Sequence, residues 1–202
     1  MDLSIIVPCH NLENYLSDLL MSLKLQNIKD YEVELIFVCD ACTDKTREVL
    51  ENFDLSNFSS VQIIDADVKA CGLARNVGLE EACGRYIWFL DGDDWLLDFN
   101  AITTALKLIE DKQVDILRVG FDCAYPDRFR FSMMVWQYVY SRELIGDIRF
   151  TNIQPNEDLE FMKLIQKKNP TMFFYPRKLY YYNFMREGSN MEQLVRKGRI
   201  DP

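Results

Sequence analysis

Histidine is nearly absent from this sequence, and its scarcity narrows the chemistry that the chain can perform. His10 is the single histidine among 202 residues. Histidine-based catalytic triads and histidine-rich metal sites are therefore not expected. Aspartate and glutamate are left as the expected acid and base groups.

The sequence also lacks long apolar runs and basic stripes. No stretch approaches the roughly 20 apolar residues that span a bilayer, and the N-terminus does not carry the pattern of a secretory signal. Acidic residues outnumber basic ones by 32 to 23, giving a formal net charge of −9, which opposes binding to nucleic acid by charge alone. We therefore expect a soluble, cytoplasmic protein without a nucleic-acid partner.

Basic residues do collect near the C-terminus, beside many aromatic residues. They are Arg177, Lys178, Arg186, Arg196, Lys197 and Arg199. Such a segment is typical either of a solvated basic tail or of a peripheral contact with a membrane surface. The sequence leaves both interpretations open.

The cysteines do not show the regular spacing of a disulfide-rich secreted domain. The six are Cys9, Cys39, Cys42, Cys71, Cys83 and Cys123. Most stand in or beside apolar runs, as expected of reduced cysteines in an intracellular protein. Cys39 and Cys42 form a C-x-x-C pattern, but no second pair follows at zinc spacing and His10 is remote in sequence, so a structural zinc site is not expected.

What the sequence does contain is an alternation of strand-like and helix-like segments. Apolar residues make up 49% of the chain, enough for a single domain with its own core. Strands are predicted at residues 3–7, 33–38, 61–64, 86–90 and 114–119. Helices are predicted at residues 13–25, 44–53, 72–82 and 99–109, the second with Asp44 as its N-cap. This order is typical of the α/β class with a mainly parallel sheet, whose ligands bind outside the carboxyl ends of the strands.

Polar residues follow the first four predicted strands, at the edge where such a ligand would bind. These segments are 8–11 (Pro-Cys-His-Asn), 40–44 (Asp-Ala-Cys-Thr-Asp), 65–67 (Asp-Ala-Asp) and 91–94 (Asp-Gly-Asp-Asp). Four successive strand ends with acids or amides predict a site for a ligand that carries a metal, ribose hydroxyls and a base.

The fourth of these strand ends is the most informative. The apolar run at 86–90 leads directly into Asp91, Asp93 and Asp94, and Gly92 permits a turn that brings the three acids close. Carboxylates packed together repel one another unless a cation lies among them, and oxygen ligands suit magnesium, manganese or calcium. The alternative is an acidic surface turn.

The alternation stops near residue 120, and the chain beyond it is rich in aromatic residues. Most of these are predicted to be core, with a few exposed ones available to stack on a sugar. Asn156, Glu157 and Asp158 precede an amphipathic segment, which predicts the two acids at a helix start, where the helix dipole favours carboxylates. Helix capping accounts for one of these acids but does not require the pair.

Taken together, these segments resemble the family 2 inverting glycosyltransferases with the GT-A fold. The matching segments, in the family's order, are 4–11, 38–44 (V-D-D-x-S-x-D, with Cys39 and Cys42 as departures), 72–79 (A-R-N-x-G-L), 91–94 (D-x-D-D), 135–145, 157–161 and 181–189. The resemblance implies one domain over residues 1–202. Its Rossmann-like nucleotide-sugar-binding half would be residues 1–95, with a mainly parallel sheet, and its smaller, mixed α+β acceptor-side half would be residues 96–202.

The resemblance also implies roles for residues on the donor side. Pro8, His10 and Asp40 would surround the nucleotide base, and Arg75 would lie near the base or the diphosphate. His10 is a departure, because the family usually has tyrosine at this position.

Further roles concern the metal, the diphosphate and the acceptor. By the same resemblance, Asp91 and Asp93 would hold the ribose and a Mn²⁺ or Mg²⁺ ion, with Asp94 joining them as a metal ligand. Arg186 and Ser189 would close over the diphosphate. Asp158 would be the catalytic base, and Glu157 would shape its position or contact the acceptor.

The implied reaction moves a sugar from a nucleotide-sugar donor to a hydroxyl of a glycan or lipid-linked saccharide, in surface polysaccharide or glycoconjugate synthesis. UDP is the nucleotide that the resemblance favours. A nucleotidyltransferase is one alternative, since it shares a nucleotide-binding α/β core and paired acids, but the segment 136–158 disfavours it. The other is a catalytically silent nucleotide-binding protein, which would not need Asp93, Asp94 and Asp158 together.

Overall fold

Strands and helices alternate through the first half of the chain and are mixed after it. The computed structural model describes residues 1–124, 134–153 and 156–184 and the single positions 186, 189, 192 and 196. In chain order the elements are β1 (Leu3–Cys9), α1 (Leu16–Lys24), β2 (Val33–Asp40), α2 (Thr46–Asn52), β3 (Ser60–Ala66), α3 (Cys71–Glu81), β4 (Tyr86–Phe89), β5 (Trp95–Leu96), α4 (Ala101–Lys112), β6 (Ile116–Cys123), a 3₁₀ turn (Val135–Gln137), β7 (Tyr138–Ser141), α5 (Arg142–Ile145), α6 (Glu157–Lys167) and β8 (Met172–Tyr182). Each predicted strand and helix is confirmed, and α6 begins at the predicted pair of acids.

The start of α2 differs from the prediction by one residue. The N-cap of α2 is Lys45 and not Asp44. Asp44 still supports this helix start, because its Oδ1 accepts the backbone N–H of Thr46 at 3.0 Å. Its Oδ2 accepts the backbone N–H of Glu13 at 3.0 Å, so this side chain also ties α2 to the loop that follows β1.

One sheet runs through the described part of the chain, in the order β3-β2-β1-β4-β7-β6-β8-β5. The strands β1 to β4 are parallel to one another. Strand β7 is antiparallel to both of its neighbours, whereas β6 and β8 are parallel. The predicted α/β class is therefore confirmed, and the carboxyl ends of β1 to β4 meet at one edge of the sheet.

The central strands are buried on both faces. Both β1 and β2 are buried at every position, and alternate residues enter two different core clusters, with Ile5 in one and Ile6 in the other. Helix α3 lies close against β1, because a Cβ at Gly78 would stand 2.4 Å from Cγ2 of Ile6. This close approach places the N-terminal turn of α3 at the carboxyl edge of the sheet.

Aromatic residues fill the core of the second half, as predicted for most of them. Trp136 stacks on Tyr180 with ring centroids 4.5 Å apart, and Phe150 stacks on Phe161 at 4.1 Å. Phe174 is an exception, since it is 50% exposed.

The remaining composition-based expectations concern thiols and membranes. All six cysteines are free, as predicted. None of the helices in the described ranges is both long and apolar enough to cross a bilayer. Of the basic C-terminal residues, Lys197 and Arg199 lie outside the described residues.

Candidate active site

A cavity of about 1040 Å³ opens at the carboxyl ends of the parallel strands. Its volume is of the size that holds small-molecule ligands and cofactors. Seven residues predicted for the donor site line it, namely Pro8, His10, Asp40, Asp91, Asp93, Arg186 and Ser189. The structure therefore brings together side chains that come from the ends of β1, β2 and β4 and from the segment after β8.

The backbone is left-handed in the loops after three successive strands. Asn11 has a φ of 51°, Ala41 of 49° and Lys69 of 55°, and each of the three lines the cavity. This conformation is unfavourable for residues other than glycine, and such strain concentrates at functional sites. The loops after β1, β2 and β3 thus each contain one residue in a backbone conformation that is uncommon outside glycine.

Asp40 is the residue that holds the third of these loops. Its carboxylate accepts backbone N–H groups from Val68 at 2.8 Å, Lys69 at 2.9 Å and Ala70 at 3.0 Å. The side chain is only 4% exposed. The geometry thus gives Asp40 a role in shaping the wall of the cavity.

His10 lies beside this wall and is oriented by it. The Nδ1–H of His10 donates to the backbone carbonyl of Asp40 at 2.7 Å, because a carbonyl oxygen can only accept. The ring is exposed, and Pro8, near the end of β1, also lines the cavity. Both residues predicted to surround the base are therefore at the opening.

Arg75 joins two acids that come from distant parts of the sequence. Its Nη2 donates to Asp91 Oδ1 at 2.7 Å and its Nη1 to Asp158 Oδ1 at 2.9 Å. The side chain is 3% exposed and stands 5.4 Å from the centre of the Phe150 ring. Arg75 was predicted near the base or the diphosphate; it is not among the residues that line the cavity, and it bridges Asp91 and Asp158 at the start of α6.

Asp158 makes contacts that helix capping does not explain. Its second oxygen, Oδ2, accepts the backbone N–H of Val135 at 3.0 Å, and the N-cap of α6 is Asn156, without a side-chain capping bond. Burial raises the pKa of Asp158, the charge of Arg75 opposes this shift, and the charge of Asp91 adds to it. The carboxylate is therefore half-buried, oriented at both oxygens and joined through Arg75 to Asp91.

Glu157 is adjacent to Asp158, but its carboxylate is less completely hydrogen-bonded. Its Oε2 is buried and accepts no hydrogen bond from the described residues. Burial is the main cause that raises its pKa, and the charge of Asp158 adds to the shift. The first turn of α3 packs against it, since a Cβ at Gly72 would lie 3.3 Å from the Cβ of Glu157.

Asp93 and Asp94 are adjacent in sequence but point to different places. Asp93 lines the cavity and forms an ion pair with the Nε of Arg186, whose guanidinium lies 4.7 Å from the Tyr15 ring centre. Asp94 is 1% exposed. Its Oδ2 accepts the hydroxyl of Tyr180 and its Oδ1 accepts the backbone N–H of Asn183 at 2.8 Å. Asp94 thus ties the acidic loop to β8 from inside the protein.

A divalent cation was predicted at this site, and the carboxylates at the cavity determine whether one could be bound. Within the described ranges, no group of three or more histidine, cysteine, aspartate or glutamate side chains has the arrangement of a metal site. Burial raises the pKa of Asp93, Arg186 opposes this shift, and Asp91 adds to it. Magnesium needs only one or two protein carboxylates when substrate phosphates complete its coordination. Asp91 and Asp93, both on the cavity wall, fit a site of that kind.

Several residues at the site were not predicted from the sequence as functional. Tyr15, Lys69, Cys71 and Asn183 line the cavity, and Tyr180 was assigned only to the aromatic core. Its hydroxyl also accepts the backbone N–H of Asp91 at 3.1 Å. No local pattern marks Tyr180, because its contact with the acidic loop depends on the pairing of β8 with β5.

Ser189 lies at the cavity, whereas Glu187 and Gly188 of the same matched segment lie outside the described residues.

A match to a family model shows which protein family the chain belongs to. Residues 4–184 match the model for "Glycosyl transferase family 2". The chain belongs to this family. The family 2 match spans the four strand ends, the acidic loop and the acids that begin α6.

Named relatives in family 2 include two bacterial proteins. The uncharacterized glycosyltransferase EpsJ of Bacillus subtilis is 29% identical over 188 residues, which is 78% of this chain and 52% of that protein. The poly(ribitol-phosphate) beta-N-acetylglucosaminyltransferase TarS of Staphylococcus aureus is 31% identical over 119 residues, covering 59% of this chain and 21% of TarS. The chain thus spans about half or less of the length of these relatives.

Solved structures confirm the GT-A fold. The crystal structure of S. aureus TarS 1–349 in complex with UDP-GlcNAc superposes with a TM-score of 0.83 at 24% identity, over 95% of this chain and 61% of that one. The mannosyltransferase PcManGT from Pyrobaculum calidifontis, in complex with GDP-Man and Mn²⁺, gives 0.77 at 17% identity, over 96% and 60%. At these identities the likeness establishes the fold.

Proposed function

We propose that this family 2 protein is an inverting, metal-dependent glycosyltransferase. It would move a sugar from a UDP-sugar to a hydroxyl of a glycan or lipid-linked saccharide in the synthesis of a cell-surface polymer. The observation that carries the proposal is the cavity at the strand ends, with Asp91 and Asp93 on its wall and Asp158 held behind it by Arg75. The UDP-GlcNAc bound by TarS and the polymer that TarS modifies support the choice of donor and acceptor class.

The first half of the chain would bind the donor. Pro8 and His10 would flank the nucleotide base, while Asp40 would act through the loop that its carboxylate holds. Arg186 and Ser189 line the same cavity, and Arg186 forms an ion pair with Asp93. This placement supports their assignment to the diphosphate.

Asp91 and Asp93 would hold Mn²⁺ or Mg²⁺ together with the donor. When bound, such a cation neutralises the negative charge that develops on the leaving diphosphate. The carboxylate of Asp94 is already engaged by Tyr180 and Asn183. We therefore assign Asp94 to supporting the acidic loop and not to direct metal coordination.

Asp158 would act as the general base. The acceptor hydroxyl must lose its proton as it attacks the sugar carbon, and a buried carboxylate opposite the leaving group can take that proton. The bonds from Arg75 and from the Val135 N–H favour the ionised carboxylate that a base requires. Attack from that face would invert the anomeric centre.

A donor screen tests the proposal. The purified chain is incubated with Mn²⁺ and each of the common sugar nucleotides, and the release of free nucleoside diphosphate is measured, with Asp93→Asn as the matched inactive control. We expect UDP release from one UDP-sugar in the parent and its loss in the variant. Pyrophosphate release in place of UDP would instead indicate a nucleotidyltransferase. Binding of UDP without any turnover would indicate a silent nucleotide-binding protein.

A further inference from the structure

Arg75, which was expected near the donor, makes its polar contacts with protein carboxylates. It lies in the middle of α3, is 3% exposed, and is not among the residues that line the cavity. Its two terminal nitrogens are both occupied by protein carboxylates, those of Asp91 and Asp158. Both terminal nitrogens are thus engaged by protein carboxylates, one of which, Asp91, lines the cavity.

We propose that Arg75 is a positioning residue that holds the Asp158 carboxylate at a fixed place relative to Asp91. The inference rests on the proposed function, in which Asp91 belongs to the donor side and Asp158 is the base. The guanidinium is planar and rigid, so two bonds to two different carboxylates fix the distance and the angle between them. Arg75 would thereby set the separation between the bound donor and the group that accepts the proton.

The residue after Arg75 strengthens this link. The Asn76 side chain donates to the backbone carbonyl of Phe150 at 2.9 Å and accepts the backbone N–H of the same residue at 2.8 Å. Phe150 in turn lies against the Arg75 guanidinium and stacks on Phe161 of α6. The consecutive residues Arg75 and Asn76 therefore connect α3 to α6 by side-chain bonds and by an aromatic stack.

Replacing Arg75 by lysine tests whether Arg75 acts by positioning the two carboxylates or only by its positive charge. Arg75→Lys keeps the positive charge but has a single nitrogen on a flexible stem, so it cannot hold both carboxylates in one geometry. A misplacement of about 1 Å in a reacting group can cost about 10²-fold in rate. Arg75→Lys removes no side chain from the cavity lining, because Arg75 does not line it, and the retained positive charge can still pair with Asp91.

The first experiment measures binding and turnover separately. UDP affinity is measured by calorimetry with Mn²⁺, and kcat and KM are measured with the donor that the screen identifies, for the parent, Arg75→Lys and the double variant with Asp158→Asn. We expect Arg75→Lys to lower kcat about 10²-fold while the Kd for UDP stays within about threefold, and the double variant to lose little more than Asp158→Asn alone. A rise of about tenfold or more in the Kd for UDP with kcat unchanged would overturn the inference, because it would make Arg75 a donor ligand.

A second measurement does not depend on activity. The backbone amide of Val135 donates to Asp158 Oδ2, so its ¹H–¹⁵N chemical shift reports the position of that carboxylate. Arg75→Lys should shift this resonance, whereas Arg85→Lys, at an exposed ion pair with Glu110, should not. If no sugar nucleotide is turned over, the proposed function fails, and the Val135 shift still decides the inference. An unchanged Val135 resonance in folded Arg75→Lys would refute it.

Discussion

Replacement of Asp158 by asparagine tests the assignment of the base most directly. The carboxylate accepts one bond at each oxygen, from Arg75 Nη1 at 2.9 Å and from the Val135 N–H at 3.0 Å. Asparagine has the same shape but a single acceptor oxygen, so its amide NH₂ must face one of these two donors. One buried donor then lacks an acceptor, which costs about 1–3 kcal/mol of folding free energy.

The same substitution removes the proton acceptor of the proposed reaction. Turnover should fall by about 10²–10⁴, while UDP affinity stays near the parent value because the cavity wall is unchanged. The loss of stability should lower the melting temperature by about 2–4 °C for each kcal/mol in a domain of this size. Steady-state kinetics, calorimetry and a thermal melt of the same preparations measure the three effects.

Glu157→Gln is the matched control, because it is the adjacent acid and its Oε2 has no partner among the described residues. It should lower turnover less than Asp158→Asn does. Turnover that survives in Asp158→Asn and collapses in Glu157→Gln would show that the two roles are reversed. Full activity in both folded variants would place the base elsewhere.

Three further outcomes follow from the acids at the cavity. Asp93→Asn should abolish the Mn²⁺ dependence of UDP binding in calorimetry, and equal affinity with and without Mn²⁺ in the parent would contradict a metal role for Asp93. Asp40→Ala frees the loop at 68–70 by removing the acceptor of its backbone N–H groups and should weaken UDP binding by about 1–3 kcal/mol. Parent-like affinity in Asp40→Ala, with exposed Asp54→Ala as its control, would mean that the loop does not shape the base pocket. Burial raises the pKa of Asp158, and a base must be deprotonated to act. In a pH–rate profile, kcat/KM should therefore fall on the acidic side at a pH above the usual pKa of aspartate. A fall only at the usual aspartate pKa would count against Asp158 as the base.

The position of the cavity was predictable because its determinants are local in sequence. A parallel sheet brings the ends of its strands together, so polar residues after four strands identify a binding edge without any structure. Pro8, His10, Asp91 and Asp93 line the cavity at the edge where that argument puts a ligand. Asp40 was also placed there, but the engagement of its carboxylate by a backbone loop could not be read from its type or position.

The contacts that cross between elements were not predictable. The bond of Tyr180 to Asp94 depends on the register of an antiparallel pair that the sequence does not specify. The bridge from Arg75 to Asp158 depends on how α3 packs against α6. In both cases the neighbouring sequence gives no signal of the contact, because the partner residue is far away along the chain.

The pairing of β4 with β7 constrains how the molecule can move. Strand β4 pairs with β1 on one side and with β7 on the other, so a continuous ladder of backbone hydrogen bonds crosses from the first half of the chain to the second. Opening the halves about a hinge would break this ladder, which makes such opening costly. Access to the cavity would then depend on local movements at the sheet edge and not on hinge motion of whole lobes.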